Sequence, residues 1–236
     1  MKRKADPLVW VLILAMGTGG DARSPSAGAR LAVVSRSEFC VTEGALEELP
    51  QGLLSVTSTK MRAYLTRRTE QAVEARFTYQ GPTNNEARLG SGALRRQFGL
   101  KLRAQDACNL VYAMWRIEPT SKLVVSVKNN PGQHRSAECG NRGYRTIRPS
   151  RSVAVSLPEI GQTHTLLAVM EGAELRVFAD GSLVWEGSVG AEAMTFDGPV
   201  GMRSDNVRLT LTLSAGETVG ARSGAVGCGS GSERDE

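Results

Sequence analysis

The sequence predicts an all-β fold, a two-sheet antiparallel sandwich. Three observations carry that expectation. Apolar residues recur with a period of two in one segment after another, no segment keeps a helical stripe, and turn residues separate the segments at near-regular spacing.

The chain opens MKRKADPLVWVLILAMGTGG, with Lys2, Arg3 and Lys4 ahead of an apolar run over 7–16. That is the charged n-region and short h-region of a secretory signal. A membrane-spanning helix needs about 20 apolar residues, so no membrane insertion is expected. Ala27-Gly28-Ala29 supplies the small-residue cleavage pattern, with Gly20-Asp21-Ala22 as an earlier alternative. The expected organisation is a signal peptide at 1–29, a β-sandwich domain at 30–213 and a Gly/Ser-rich flexible tail at 214–236, in a secreted or periplasmic protein. The net charge is +5 over the whole chain, and cleavage after Ala29 removes four basic and two acidic residues to leave +3. A mildly basic domain suits an anionic or cell-surface polymer. A dedicated nucleic-acid binder concentrates a stronger basic face, and single-strand binding needs more exposed aromatics than this chain offers.

Expected strands follow at 72–79 (AVEARFTY), 96–104, 110–117, 122–128 (KLVVSVK), 152–157 (SVAVSL), 163–170 (THTLLAVM), 174–179 (ELRVFA), 183–189 (LVWEGSV) and 207–213 (VRLTLTL). The stretch 53–65 adds one or two more, and 44–50 reads as a single helical turn. In 96–104 the alternation sends Phe98, Leu100, Leu102 and Ala104 inward and Lys101 and Arg103 outward. By contrast 110–115 is apolar on both sides and reads as a central strand. In 207–213, Val207, Leu209, Leu211 and Leu213 share the buried face. Asp180-Gly181 marks a hairpin, because glycine adopts a positive φ at little cost. Within such apolar strands Trp115 and Trp185 read as core residues.

Four cysteines, Cys40, Cys108, Cys139 and Cys228, form an even set in an exported chain and read as two disulfides with three arithmetical pairings. None has Cys-x-x-Cys spacing, so a zinc or redox site is not expected. If 109–117 and 122–128 form a hairpin through Glu118-Pro119-Thr120-Ser121, Cys108 and the loop after Lys128 lie at one end. Cys139 then reaches Cys108, and Cys40 pairs with Cys228 by elimination.

The run THTLLAVMEGAELRVFADGSLVWEGSVGAEAMTFDGPVGMRSDNVRLTLTL resembles the closing strands of concanavalin A-like lectin/glucanase domains, the jelly roll that laminin-G-like modules also use. The likeness rests on Glu171-Gly172, Asp180-Gly181, the return strand with Trp185, the connection from Gly198 to Asn206 and the last strand, and it extends over about 77–213 by strand order. Such a resemblance implies a jelly-roll sandwich. It spans sugar-binding modules, glycan hydrolases and lyases, and adhesive domains, and fold does not choose among them.

A glucanase of this kind carries a Glu-x-Asp-x-x-Glu strand, because hydrolysis needs two carboxylates at fixed separation. The sequence has no such run. Glu43, Glu47 and Glu48 read as lying ahead of the domain, and Glu74, Glu118, Glu171, Glu174 and Glu186 are single. His164 reads as an outward, solvated strand residue. The long connection 129–150, NNPGQHRSAECGNRGYRTIRPS, is the expected binding site: Asn129, Asn130, His134, Arg135, Asn141, Arg142, Tyr144 and Arg145 offer paired donors and one aromatic ring for sugar hydroxyls or carboxylates. Arg96 joins them, with Arg95, Lys101, Arg103 and Arg116 expected along one basic sheet face. Asp180, Asp197, Asp205 and Asn206 carry oxygen donors of the kind calcium takes, but turn roles suffice for all four and no cofactor is assigned. The expected function is non-catalytic carbohydrate binding, with no catalytic residues; a hydrolase or lyase of the same fold and an adhesive protein-binding domain are the alternatives. Oligomeric state is not legible.

Overall fold

A computed structural model describes residues 30–217 and Cys228, so the expected signal peptide and all of the expected tail after Glu217 except Cys228 lie outside the described residues. In chain order the strands are β1 (Leu31–Val33), β2 (Phe39–Glu43), β3 (Glu47–Glu48), β4 (Leu54–Val56), β5 (Lys60–Leu65), β6 (Ala72–Pro82), β7 (Arg96–Leu102), β8 (Leu110–Glu118) and β9 (Lys122–Lys128). A one-turn helix α1 (Ser136–Cys139) follows. Then come β10 (Tyr144–Thr146), β11 (Arg151–Ser152), β12 (Thr163–Glu171), β13 (Glu174–Ala179), β14 (Ser182–Ser188), β15 (Gly201–Asp205) and β16 (Val207–Gly216).

They form two antiparallel sheets. One runs β11-β14-β13-β12-β6-β16-β4-β3, with β1 also on β16; the other runs β10-β9-β8-β7-β15-β5-β2. The alternating apolar faces meet between the sheets, which is where a half-apolar strand must put its buried side. Trp115 and Trp185 are both in that core, and Phe77 lies edge-on to Trp115 with centroids 5.8 Å apart. Asp180 and Gly181 both take positive φ, as a tight hairpin between right-twisted strands requires. Cys108 joins Cys139 and Cys40 joins Cys228, with Cα separations of 5.9 and 5.3 Å. No described helix is long and apolar enough to cross a membrane.

Several elements differ from expectation. Of 152–157 only Ser152 falls in a strand, together with Arg151 against β14, and Val153 N–H adds one bond to Val184 O. The segment lies at a sheet edge, Val155 alone packs on the core, and Val153 and Leu157 stay exposed. The turn expected within 44–50 moves to Pro50–Gly52, where proline's fixed φ starts it, while Glu47–Glu48 pair with β4. Glu43 and Glu47–Glu48 are therefore strand residues inside the domain, not a segment ahead of it. The last strand runs three residues past Leu213 because β1 and β6 both pair with its end, so the domain boundary expected at 213 falls inside a strand. His164 is buried, not solvated: its ring packs on Phe77 and Trp115, and Nδ1 meets the Asp180 carboxylate at 2.8 Å. Lys101, expected outward, is also buried, and Arg103 sits at a left-handed position where β7 ends. The five residues of β15, read as a connection, form a strand between β7 and β5.

Asn206 links β15 to β16 at φ +57°, a conformation that asparagine tolerates better than most residues. Its buried side chain accepts from Ala87 N–H at 2.8 Å and donates to the carbonyls of Ala87 and Arg95 at 2.8 and 2.9 Å. It thus pins the connection 83–95 over the seven-stranded sheet. Asn206→Ala should cost about 2 kcal/mol, from unsatisfied buried backbone groups and a strained φ. Hydrogen exchange at the Ala87 amide should rise with it.

Candidate functional site

β7 places Phe98, Leu100 and Leu102 in the core, so Gln97, Gly99 and Lys101 face away from it. Strand register carries this outer face across the sheet. Lys101 lies opposite Tyr112 of β8 and Gly201 of β15, and Gly201 lies opposite Tyr64 of β5. In the neighbouring row Gly99 faces Arg203, which faces Arg62. A cavity of about 660 Å³ opens here. Its walls are Leu89 and Gly90 from the connection that Asn206 holds and His134, Arg135 and Asn141 from the connection after β9. A smaller pocket of about 230 Å³ shares Tyr112, Tyr144 and Arg203 with it and continues to Arg95 and Arg116, making one groove along the sheet.

The floor is a charge network. The Asp205 carboxylate is almost wholly buried; it accepts from Arg62 Nη2 at 2.5 Å, Arg203 Nε at 2.9 Å and Gln97 Nε2 at 2.7 Å. Burial alone would raise its pKa, but the two guanidinium groups outweigh that and hold it well below the carboxylate range. Arg203 also donates to the Tyr144 hydroxyl at 3.1 Å and lies 5.1 Å from the Tyr112 ring centroid. Tyr112 and Tyr144 stack with centroids 6.0 Å apart, and Lys128 Nζ sits 5.2 Å from the Tyr144 centroid while donating to Ala107 O. Burial raises the Tyr112 phenol. For Tyr144 burial pushes the same way, but the charges of Arg203 and Lys128 prevail and bring it below the usual value. Lys101 is buried among these cations, and burial first, then Arg62 and Arg203, drives its amine well below the ordinary lysine value.

Six basic side chains line the cavity, Lys60, Arg62, Lys101, Lys128, Arg135 and Arg203, against two carboxylates, Glu43 and Asp106. Both carboxylates are engaged. Glu43 lies 3.7 Å from Arg62 and 3.8 Å from Lys60. Asp106 Oδ1 accepts the backbone N–H groups of Cys108 and Asn109 at 2.8 Å, and Oδ2 meets His134 Nδ1 at 2.8 Å, which raises the His134 pKa. Among the described residues no three His, Cys, Asp or Glu side chains gather as a metal site.

Of the expected site residues, His134, Arg135, Asn141 and Tyr144 line the cavity. The other five hold structure. Asn129 N–H bonds Gly143 O, and Asn130 Nδ2 bonds the carbonyls of Cys108 and Arg142. Arg142 folds back onto Glu138 O and Cys139 O. Arg145 pairs with Glu192, and Arg96 with Glu86 and Glu118 at 2.7 and 2.6 Å. Nor do the five expected basic residues share one face: Arg95, Lys101 and Arg116 line the groove, Arg96 does not, and Arg103 bonds Met194 O away from it. The sequence reading missed Arg62, Tyr112, Lys128 and Arg203 and gave Asp205 a turn role; the signal available was the opposite face of β7 and β8, once their pairing partners are known.

No family model and no curated protein matches the chain. Solved structures do. Carbohydrate-binding module CBM66 from Bacillus subtilis aligns with a TM-score of 0.52 at 13% identity, covering 74% of this chain and 91% of that one. The metal-free carbohydrate recognition domain of Emp46p aligns at 0.50 and 9% identity, over 78% and 89%. Crh5 transglycosylase in complex with NAG aligns at 0.48 and 12%, over 79% and 82%. The chain has the concanavalin A-like jelly-roll fold, and at these identities the likeness speaks for fold alone.

Proposed function

We propose that this protein binds carbohydrate without cleaving it, and that the ligand is an acidic glycan held in the groove of the seven-stranded sheet. The observation that supports this reading best is the pairing of a cation-rich cavity with the exposed ring of Tyr144 on its rim, backed by the buried Tyr112. Sugar rings present an apolar face that aromatic rings cover and hydroxyls that amides and guanidinium groups bond, while carboxylate or sulfate groups take the charge-assisted bonds of arginine and lysine. The two carboxylates beside the cavity are occupied with cations or backbone N–H groups, which suits them to holding walls and not to an acid and base pair. Extracytoplasmic residence fits the two disulfides.

The test is an array of acidic and neutral glycans, followed by reducing-sugar assays on every hit. Binding without release is expected, and Tyr144→Ala should weaken it tenfold or more, roughly 1.4 kcal/mol. Hits confined to neutral glycans, or no hits, would contradict the reading. One observation favours a second reading, an eliminating lyase: the Tyr144 phenol, lowered by Arg203 and Lys128, suits proton transfer. Release of unsaturated ends that disappears in Tyr144→Phe would establish it.

A further inference from the structure

Lys101 differs from the cations around it. The residue is only 5% exposed, yet it lines the cavity. Arg62 and Arg203 share Asp205, and Lys128 donates to Ala107 O. Lys101 has no hydrogen bond and no ion pair among the described residues. Gly201, its neighbour on β15, brings the β5 backbone close, and across the strands Lys101 has Tyr112 on one side and Gly201, then Tyr64, on the other. The stem is buried and the amine opens to the cavity with little water and no protein partner, a costly place for a charge; a ligand oxyanion would supply the missing partner.

We propose that the Lys101 amine anchors the oxyanion of an acidic sugar, a uronate carboxylate or a sulfate. The proposal rests on the reading of the groove as a glycan site. The groups around the amine bias its charge. Arg62, Lys60 and Tyr64 come from β5, Arg203 and Asp205 from β15, Lys128 from β9, Tyr112 and Tyr144 from β8 and β10, Glu43 from β2, and Asp106, His134 and Arg135 from the flanking connections. Cations outnumber carboxylates in this set, and burial adds to their effect, so the free amine holds its proton weakly. An oxyanion beside it reverses the balance. The proton comes from solvent, and no covalent bond changes. Between the lowered value of the free amine and the higher value in the complex, each unit rise in pH should weaken acidic-ligand binding by up to about tenfold.

Calorimetric titration of the protein with an oligogalacturonate, a sulfated oligosaccharide and a neutral oligosaccharide, each in buffers of different ionisation enthalpy, tests this. The expected result is net proton uptake, growing as the pH rises, with whichever acidic ligand binds, and none with the neutral one. Lys101→Met should lose the uptake and at least tenfold in acidic-ligand affinity, and melt no lower than the parent. Which acidic probe binds separates carboxylate from sulfate. Acidic-ligand binding with no proton uptake, unchanged in Lys101→Met, overturns the anchor and leaves the glycan reading standing; no binding by any probe overturns both. Should Lys101→Met fail to fold, the proton count of the parent protein decides alone.

Discussion

Asp205→Asn will lower the unfolding free energy by about 3–5 kcal/mol, the usual cost of removing one partner from a buried charge cluster. Asp205 is 1% exposed at its side chain, and Arg62 and Arg203 are 14% and 12% exposed, so solvent does little to compensate either guanidinium once the carboxylate is gone. For a domain of this size the loss should appear as a fall in melting temperature on the order of 10 °C. The pH dependence follows from the depressed pKa of the folded state. The stabilisation is complete above the ordinary unfolded carboxylate value, about 4, and drains away as the pH falls below it toward the folded value. Thermal melts from pH 6 downward should therefore show an acid-sensitive component in the parent that Asp205→Asn lacks. A variant as stable as the parent would mean that the two arginines need no carboxylate, and the charge network described for the cavity floor would be wrong.

Replacing Cys108 and Cys139 together by alanine will cost about 3.5 kcal/mol in guanidinium unfolding, from the chain entropy released when a loop of this length is opened. The sequence separation is 31 residues, and both sulfurs are buried at the sheet end from which the cavity wall rises. Other bonds keep part of the loop in place: Asn109 Nδ2 donates to Gln133 O at 2.8 Å, and Asn109 Oδ1 accepts from Asn130 N–H at 2.8 Å. His134, Arg135 and Asn141 lie in or beside the opened loop, so acidic-glycan affinity should fall along with stability. Full stability and unchanged affinity in the double variant would show that the disulfide neither closes the loop in the folded state nor shapes the wall.

The fold was legible because each strand writes its two faces into a period of two, and Leu209, Leu211 and Leu213 fall in the core as that period requires. The disulfide between Cys108 and Cys139 was legible for a related reason: a hairpin turn read from Glu118 to Ser121 fixes which ends lie together. The floor of the cavity was not. Period two separates the faces of β7 but does not say that the face bearing Lys101 is roofed by other segments, so a buried amine reads as a solvated one. Asp205 reads as a turn residue because a short strand bounded by glycine and by Asn206 looks like a turn, and only its place between β7 and β5 gives it two arginines. Long polar connections mislead in the opposite direction. Asn130 and Arg142 have the chemistry of ligand contacts but spend it on backbone groups of their own loop, where unpaired carbonyls must find donors.

A crystal structure of the protein with a bound acidic oligosaccharide tests the central claim most directly. The sugar should lie along the groove beside the exposed Tyr144 ring, with a carboxylate or sulfate oxygen about 3 Å from Lys101 Nζ. An oligosaccharide seated on the outer face of the nine-stranded sheet or at the sandwich edge, with the groove bare, would contradict it.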